Sequence, residues 1–188
     1  MLRIIGGDLK GRRLQDSSSY HDIRPTTDRN REAIFNILDS GKFADFFALQ
    51  GAIVLDLCSG TGAFAIEAIS RGAKKAICVE KNIKHVNLIK SNVEKLQISE
   101  KIAIFCDDFR RFNRVVEPLN LIFIDPPYKM SIENIDQDLL KNGLINDKTL
   151  LILEYPSVQN FKNLQLLDSR KYGSSIFSFY KLNIKEQQ

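Results

Sequence analysis

Five short apolar runs separated by helical patterns constrain the fold of this chain more than any other feature. The runs are AIVLDL (52–57), KAICVE (75–80), KIAIFCDD (101–108), LNLIFID (119–125) and TLLILEY (149–155). Continuous apolar runs are typical of parallel strands, because helices cover both faces of such a sheet. Their alternation with helices indicates β-α-β units. We therefore predict an α/β, Rossmann-like, doubly wound fold with a mostly parallel sheet.

The remaining segments complete a predicted sheet of seven strands. LQLLDS (164–169) and SSIFSFYKL (174–182) suit a C-terminal antiparallel hairpin, and residues 63–70, 82–97 and 133–141 suit helices. At the other end, RIIGGDLKGRRL (3–14) predicts two short strands around a glycine-rich turn. A helix capped by Thr26, Thr27 or Asp28 follows. We divide the chain into an N-terminal β-hairpin and helix at 1–40 and a catalytic domain at 41–188.

Positive charge is concentrated at the N-terminal end. The chain carries a net charge of +4, and four cations against Asp8 place +3 of it in the first fourteen residues. Arg29 and Arg31 fall in the first turn of the predicted helix, where cations oppose the helix dipole unless an anion binds nearby. This pattern favours a polyanion partner, with a solvated basic surface as the alternative. The predicted contact residues are Arg3, Lys10, Arg12, Arg13, Arg24, Arg29 and Arg31.

Several protein classes are disfavoured. No apolar run approaches the ~20 residues that span a bilayer, and the first residues lack a signal-peptide apolar stretch. The three cysteines show no metal-binding or redox spacing, as expected in a reducing compartment. We expect a cytoplasmic monomer without a membrane contact or a metal site.

Acidic residues end or follow four of the predicted strands. They are Asp56, Glu80, Asp107 and Asp125. Ligands of parallel sheets bind beyond the carboxyl ends of the strands, so we expect these carboxylates to face one site. Acids grouped in this way are unfavourable unless they meet ligand donors or water.

The segment LDLCSGTGAF (55–64) predicts a strand, a glycine-rich turn and the start of a helix. Gly60 and Gly62 permit the backbone to approach a ligand closely. The turn departs from the dinucleotide pattern GxGxxG, because Ala65 occupies the third glycine position in one register. A turn with no ligand is the alternative.

The acids around this turn favour S-adenosylmethionine over NAD as the cofactor. Asp56 would repel a pyrophosphate but suits an ammonium group, and Glu80 suits two ribose hydroxyls. Asp107, with Asp108 as the fallback, suits the adenine amino group, unless the two form only a solvated acidic turn. The predicted cofactor-binding residues are Asp56, Ser59, Gly60, Thr61, Gly62, Glu80, Asp107 and Asp108.

Together, DLCSGTGAFAIEAISRGA, Glu80 and DPPY resemble Rossmann-like methyltransferases that act on exocyclic amino groups. The blocks RIIGGDLKGRRL and IRPTTDRNREAIFNIL resemble more closely the RsmD family, bacterial guanine-N2 methyltransferases of small-subunit ribosomal RNA. The resemblance implies S-adenosylmethionine as the methyl donor. It also implies ribosomal RNA, in an assembling or assembled small subunit, as the partner.

The motif DPPY (125–128) suits activation of an aromatic amine, whose lone pair is delocalised into its ring. Two acceptors on its N–H groups would free that lone pair, and the Asp125 carboxylate and the Pro126 carbonyl are the candidates. Tyr128 can stack on the base, worth ~1–3 kcal/mol in single-strand binders. The predicted catalytic residues are therefore Asp125, Pro126 and Tyr128.

Two other functions remain open at this level. One is an adenine-N6 methyltransferase on DNA or RNA, because DPPY is shared with that group. The other is a non-catalytic RNA-binding assembly factor with a Rossmann-like core, although an intact set of Asp56, Glu80 and Asp125 argues against decay. A dehydrogenase is disfavoured by Asp56 and by the missing third glycine.

Overall fold

A computed structural model describes residues 2–15 and 27–183 of the chain. Seven strands form one sheet in the order β3-β2-β1-β4-β5-β7-β6. The strands are β1 (Ile53–Leu57), β2 (Lys75–Glu80), β3 (Ile102–Cys106), β4 (Leu121–Ile124), β5 (Leu150–Tyr155), β6 (Leu164–Tyr172) and β7 (Ser175–Leu182). The α-helices are α1 (Asp28–Asp39), α2 (Ala63–Ser70), α3 (Ile83–Leu96) and α4 (Ile135–Lys141), and a 3-10 turn spans Ser99–Lys101.

The first five strands are parallel and the last two form an antiparallel hairpin. β1 lies between β2 and β4, and β5 pairs with β4 in parallel and with β7 in antiparallel orientation. The predicted α/β fold, with a mostly parallel seven-stranded sheet and a C-terminal hairpin, is confirmed. The order reverses at β1, between β2 and β4, and a sheet of this kind forms its ligand crevice beside such a reversal.

Strand alternation sends neighbouring residues to opposite faces of the sheet. On the face that we call the first face, Val54, Leu121 and Ile152 pack with α1, α2 and α3. On the second face, Leu55 and Ile122 pack with α4 and the segment before β4. Both faces are therefore covered, which explains why the central strands are continuously apolar.

The N-terminal segment 2–15 folds back on itself with less regular structure than predicted. The two expected strands are reduced to one antiparallel bridge between Arg3 and Arg13. Leu2, Ile4 and Leu14 are buried in the core of the first face, so the segment is held by packing where a longer ladder is absent. The division of the chain at residue 40 stays a prediction.

The sequence offered three possible capping residues for the helix that becomes α1, and the structure selects one of them. Thr27 is the cap, and its hydroxyl accepts a hydrogen bond from the Asn30 N–H at 3.2 Å. Ile34, Phe35 and Leu38 bury one side of the helix against the first face. This packing brings the first turn of α1 to the carboxyl edge of the sheet.

The connection from β3 to β4 departs from regular β-α-β alternation. Residues 107–120 contain no helix, and Phe109 and Phe112 fill the second face instead. Among the described residues, no helix has the length and apolar character needed to cross a membrane.

Candidate active site

A cleft of about 470 Å³ opens at the carboxyl ends of β1, β2 and β4. This volume lies within the ~300–1,000 Å³ of typical small-molecule sites. The cleft brings together nearly all the residues that the sequence singles out at this edge. The predicted residues lining it are Asp56, Ser59, Gly60, Thr61, Glu80, Asp107, Asp108, Asp125, Pro126 and Tyr128.

The glycine turn joins β1 to α2 through several left-handed residues. Gly60 has a φ of 52° and Gly62 a φ of 74°, and Cys58 also has a positive φ of 63°. A Cβ on Gly62 would lie 3.0 Å from Cγ2 of Ile89 in α3. Gly62 therefore serves the close packing of the turn against α3 as well as its backbone conformation.

Glu80 ties the end of β2 to the glycine turn. Its Oε2 accepts from the Gly60 N–H at 2.9 Å, and its Oε1 accepts from the Asn82 N–H at 2.8 Å. The His85 Nδ1 lies 3.5 Å from Oε1. Each carboxylate oxygen can accept more than one hydrogen bond. Glu80 is thus fixed in direction and still able to accept from a ligand in the cleft.

Asp56 is the most deeply buried acid of the cleft, with 2% of its surface exposed. Its Oδ2 accepts from the Ala65 N–H near the start of α2 at 3.3 Å. Burial raises the pKa of Asp56 to about 8; the Ala65 hydrogen bond opposes this shift, and the neighbouring Glu80 charge adds to it. Burial therefore favours the protonated form of this carboxyl, and a positive charge beside it would favour the ionised form.

Asp107 and Asp108 form the outer edge of the cleft, and both are engaged. Oδ2 of Asp107 pairs with Arg114 at 2.7 Å, and Oδ2 of Asp108 pairs with Lys81 at 3.0 Å. Partial burial acts to raise the pKa of Asp108, but hydrogen bonds from Lys81 and from the Arg110 N–H lower it below its ordinary value. Since both residues line the cleft, the choice between them as the adenine contact stays open.

The motif DPPY leaves β4 and forms the other wall of the cleft. The Tyr128 hydroxyl lies 2.7 Å from the Ser175 hydroxyl at the start of β7. The Tyr155 ring meets the Tyr128 ring edge-on at a centroid distance of 6.5 Å. Tyr128 nevertheless keeps 39% of its surface exposed. Its ring is thus oriented by two contacts and open on one side.

Four predicted RNA contacts lie on the surface of segment 2–15. The exposed residues are Arg3, Lys10, Arg12 and Arg13. Arg3 Nε lies 3.5 Å from Oδ2 of Asp28, yet 68% of the Arg3 side chain is exposed. Arg29 is also exposed, and Arg24 lies outside the described residues.

Arg31, which was predicted to contact phosphates at the surface, is buried in the structure. Its side chain is 1% exposed, and it pairs with Oδ1 of Asp28 at 3.0 Å. Arg31 Nε lies 3.6 Å from Oε2 of the buried Glu67. The Nη2 group of Arg31 also donates to the Arg3 carbonyl. The charge that the sequence places in the first turn of α1 is thus balanced inside the protein, and Arg31 is not a surface contact for phosphates.

Sequence reasoning misses several polar residues of the cleft, among them His85, Glu154 and Ser175. Glu154 is the acid near the end of the fifth strand, so the rule that found the other four acids could have found it. His85 follows Glu80 on the next helix, and proximity along the chain was its only signal. Ser175 reaches the cleft from the C-terminal hairpin, and no local pattern predicts this contact, although the hairpin itself was predicted.

Comparison with known proteins identifies the family. A family model described as Conserved hypothetical protein 95 matches residues 2–181. The Ribosomal RNA small subunit methyltransferase D of Escherichia coli (strain K12) is 31% identical over 154 residues, covering 81% of this chain and 74% of that protein. The chain belongs to the RsmD family.

Solved structures agree with this membership in the RsmD family. The Escherichia coli protein yhhF superposes with a TM-score of 0.80 at 26% identity, covering 97% of this chain and 98% of that one. The Thermus thermophilus protein TTHA0928 gives a TM-score of 0.78 at 26% identity, covering 97% and 100% of the two chains. The likeness therefore includes the N-terminal segment as well as the seven-stranded sheet.

Proposed function

We propose that this RsmD-family chain methylates the exocyclic N2 amine of a guanine in small-subunit ribosomal RNA, with S-adenosylmethionine as the donor. The observation that carries the proposal is a single cleft that holds both the glycine turn with Glu80 and the motif DPPY. The first set suits a nucleoside cofactor and the second an aromatic amine. Relatives named Ribosomal RNA small subunit methyltransferase D support the choice of RNA.

The set of hydrogen-bond acceptors in the cleft fits S-adenosylmethionine. Asp56, Glu80 and the pair Asp107 and Asp108 are acceptors, which suits a ligand with an ammonium group, ribose hydroxyls and an adenine amine. A dinucleotide would place its pyrophosphate against these acids, which is unfavourable. When bound, S-adenosylmethionine supplies the electrophilic methyl group of its sulfonium.

Asp125 activates the target amine by accepting from one of its N–H groups, and the Pro126 carbonyl accepts from the other. These bonds draw the nitrogen towards tetrahedral geometry and free its lone pair for attack. Pro126 and Pro127 lack N–H groups and restrict the backbone, so the carbonyl keeps its direction. Asp125 also accepts the proton that becomes acidic once the nitrogen is methylated. Positioning of this kind is a large part of catalysis.

The target base must be unpaired or flipped out to enter the cleft. RNA loops offer such bases at little energetic cost. The open side of Tyr128 then stacks on the base. The exposed cations Arg3, Lys10, Arg12 and Arg13, with Arg29, hold neighbouring phosphates outside the cleft. Arg24 belongs to the same proposed surface.

The experiment that tests the proposed function compares ribosomal RNA from a strain that lacks the gene with RNA from the same strain after the gene is restored. Nucleoside mass spectrometry should find one N2-methylguanosine fewer per small subunit in the deletion strain, and restoration should return it. N6-methyladenosine that follows the gene in its place would refute guanine as the target.

The role of Asp125 is tested in the purified protein. Asp125→Ala should fold and bind S-adenosylmethionine as the wild type does, yet lose at least about 100-fold in turnover, as expected for loss of a transition-state hydrogen bond. Asp125→Asn is the matched control, because its amide oxygen still accepts a hydrogen bond, and it should keep more activity than Asp125→Ala. Turnover of Asp125→Ala within tenfold of wild type would contradict the mechanism.

A further inference from the structure

A second carboxylate lies beside Asp125 on the neighbouring strand. β4 and β5 pair in parallel with Leu121 opposite Leu150 and Phe123 opposite Ile152. The last pair of this ladder is Ile124 and Leu153, and the next residues along the two chains are Asp125 and Glu154, which continue the face of Phe123 and Ile152. Adjacent strands lie about 4.8 Å apart, so Asp125 and Glu154 are neighbours at the edge of the sheet, and both line the cleft.

Glu154 belongs to the cleft and is shielded from bulk water. Only 4% of its surface is exposed, and it lines the cleft with Asp125 and Tyr128. The Phe123 ring, one step below Asp125 on the first face, stacks on Phe64 at a centroid distance of 3.9 Å. Because both carboxylates line one cleft, a base whose amine reaches Asp125 also comes near Glu154. Each carboxylate oxygen can accept more than one hydrogen bond, so Glu154 can accept from such a base in addition to its contacts within the protein.

Guanine presents adjacent donors on its Watson–Crick edge, N1–H and the N2 amine. We propose that Glu154 accepts from N1–H while Asp125 and the Pro126 carbonyl accept from the amine, which makes Glu154 a specificity-determining residue for guanine. The inference rests on the proposed function and deepens it. Adenine carries a lone pair at its N1, and a buried carboxylate facing that lone pair would repel it.

The nucleobase 2-aminopurine isolates this contact. It keeps the N2 amine that receives the methyl group, but its N1 is a lone pair without hydrogen. RNA is prepared with either guanine or 2-aminopurine at the modified nucleotide, in the form, free fragment or reconstituted subunit, in which guanine is methylated. Methyl transfer to each base is followed by nucleoside mass spectrometry, and kcat/KM is determined for both.

In the wild type, kcat/KM should be about 100-fold or more higher for guanine than for 2-aminopurine, because the Glu154 carboxylate faces an N1 lone pair in the analogue. Glu154→Gln offers an amide N–H to the N1 lone pair, so its preference should shrink to within about tenfold, with a loss on guanine of about 10- to 100-fold. Glu133→Gln is the matched control, because Glu133 is exposed on the loop before α4, and its preference should equal that of the wild type.

The outcomes separate the two proposals. Efficient methylation of guanine and 2-aminopurine alike by the wild type overturns the role of Glu154 and leaves the proposed function standing, whether or not Glu154→Gln folds. If a folded Glu154→Gln binds S-adenosylmethionine normally and keeps the wild-type preference for guanine over 2-aminopurine, the role of Glu154 is likewise overturned and the proposed function stands. Absence of N2 methylation on guanine in the wild type overturns both.

Discussion

The buried carboxyl of Asp56 predicts an unusual dependence of stability on pH. Its pKa lies at about 8 in the folded protein, chiefly because of burial, and near its ordinary low value in the unfolded chain. A raised folded pKa means that the stabilising contribution is fully present below the unfolded pKa and is lost as pH rises through the folded pKa. The free protein should therefore lose stability between about pH 4 and pH 8 through this one group.

The size of the effect follows from the two pKa values. Each pH unit between them changes the free energy of unfolding by about 1.4 kcal/mol. Between pH 6 and pH 8 the loss is about 2 kcal/mol, slightly less than two full units because the group begins to ionise near its folded pKa. Such a loss is a large share of the ~5–15 kcal/mol that stabilises a typical domain.

The assay is urea unfolding of the ligand-free protein at pH 6 and pH 8. Other groups titrate in this range, so the wild type is compared with Asp56→Asn, which is neutral at both values and nearly equal in shape. The difference in unfolding free energy between the two proteins should shift by about 2 kcal/mol in favour of the variant as pH rises. Asp147→Asn, at an exposed site before β5, is the matched control and should show no such shift.

Ligand binding supplies a second measurement on the same group. An ammonium group placed near Asp56 favours its ionised form, so binding of S-adenosylmethionine at pH 7 should release close to one proton. Calorimetry in buffers of different ionisation enthalpy counts that proton, and Asp56→Asn should release none. Parallel pH profiles for wild type and Asp56→Asn, together with equal proton counts, would refute the reasoning from burial.

Two other predictions concern ligand affinity. Glu80→Ala should weaken S-adenosylmethionine binding by about 1.5–3 kcal/mol, the loss expected for a charged acceptor, and an unchanged calorimetric affinity would remove Glu80 from the site. Replacing the four exposed cations of segment 2–15 by alanine should raise the KM for RNA and flatten its salt dependence by up to ~0.7 for each phosphate that is no longer neutralised, without changing cofactor affinity. A wild-type salt slope would show that these cations are a solvated surface. The four cations are Arg3, Lys10, Arg12 and Arg13.

The sheet was predictable because its signals are local. Each central strand is a short apolar run that ends near an acid. Such a run is continuously apolar because both faces of the strand are buried. The hairpin at the end followed from two further runs of the right length. The segment that differs from prediction has weaker local signals, because segment 2–15 keeps only one bridge where two strands were expected. Residues 107–120, for which no helix was predicted, pack through Phe109 and Phe112.

The site was predictable where strand ends place residues at one edge, and not where distant segments meet. Asp56, Glu80 and Asp125 follow from the topology alone. The prediction of Arg31 as a surface contact was wrong because Arg31 is buried beside Glu67, which lies 36 positions away on another helix. The burial of this pair depends on how α1 packs, which no local pattern shows. Ser175 reaches Tyr128 from a strand 47 positions later. Contacts of this kind have no sequence period.

Other long-range contacts, made by Glu67, connect the proposed RNA surface to the body of the protein. The buried Glu67 of α2 accepts from the N–H groups of Ile5 at 2.9 Å and Gly6 at 2.8 Å, and from Arg71 Nε at 2.8 Å. Segment 2–15 is therefore anchored by its backbone on the helix that begins at the glycine turn. Its charged side chains are exposed and take no part in these anchors.

Asn92 of α3 makes a second connection, between the end of this segment and the glycine turn. Its Oδ1 accepts from the Gln15 N–H at 2.7 Å, and its Nδ2 donates to the carbonyls of Gln15 at 3.2 Å and Thr61 at 3.4 Å. The proposed RNA surface is thus held at a fixed position relative to the cleft. Because backbone and buried groups provide this coupling, removing the exposed cations should weaken RNA binding while the geometry around the cofactor stays intact.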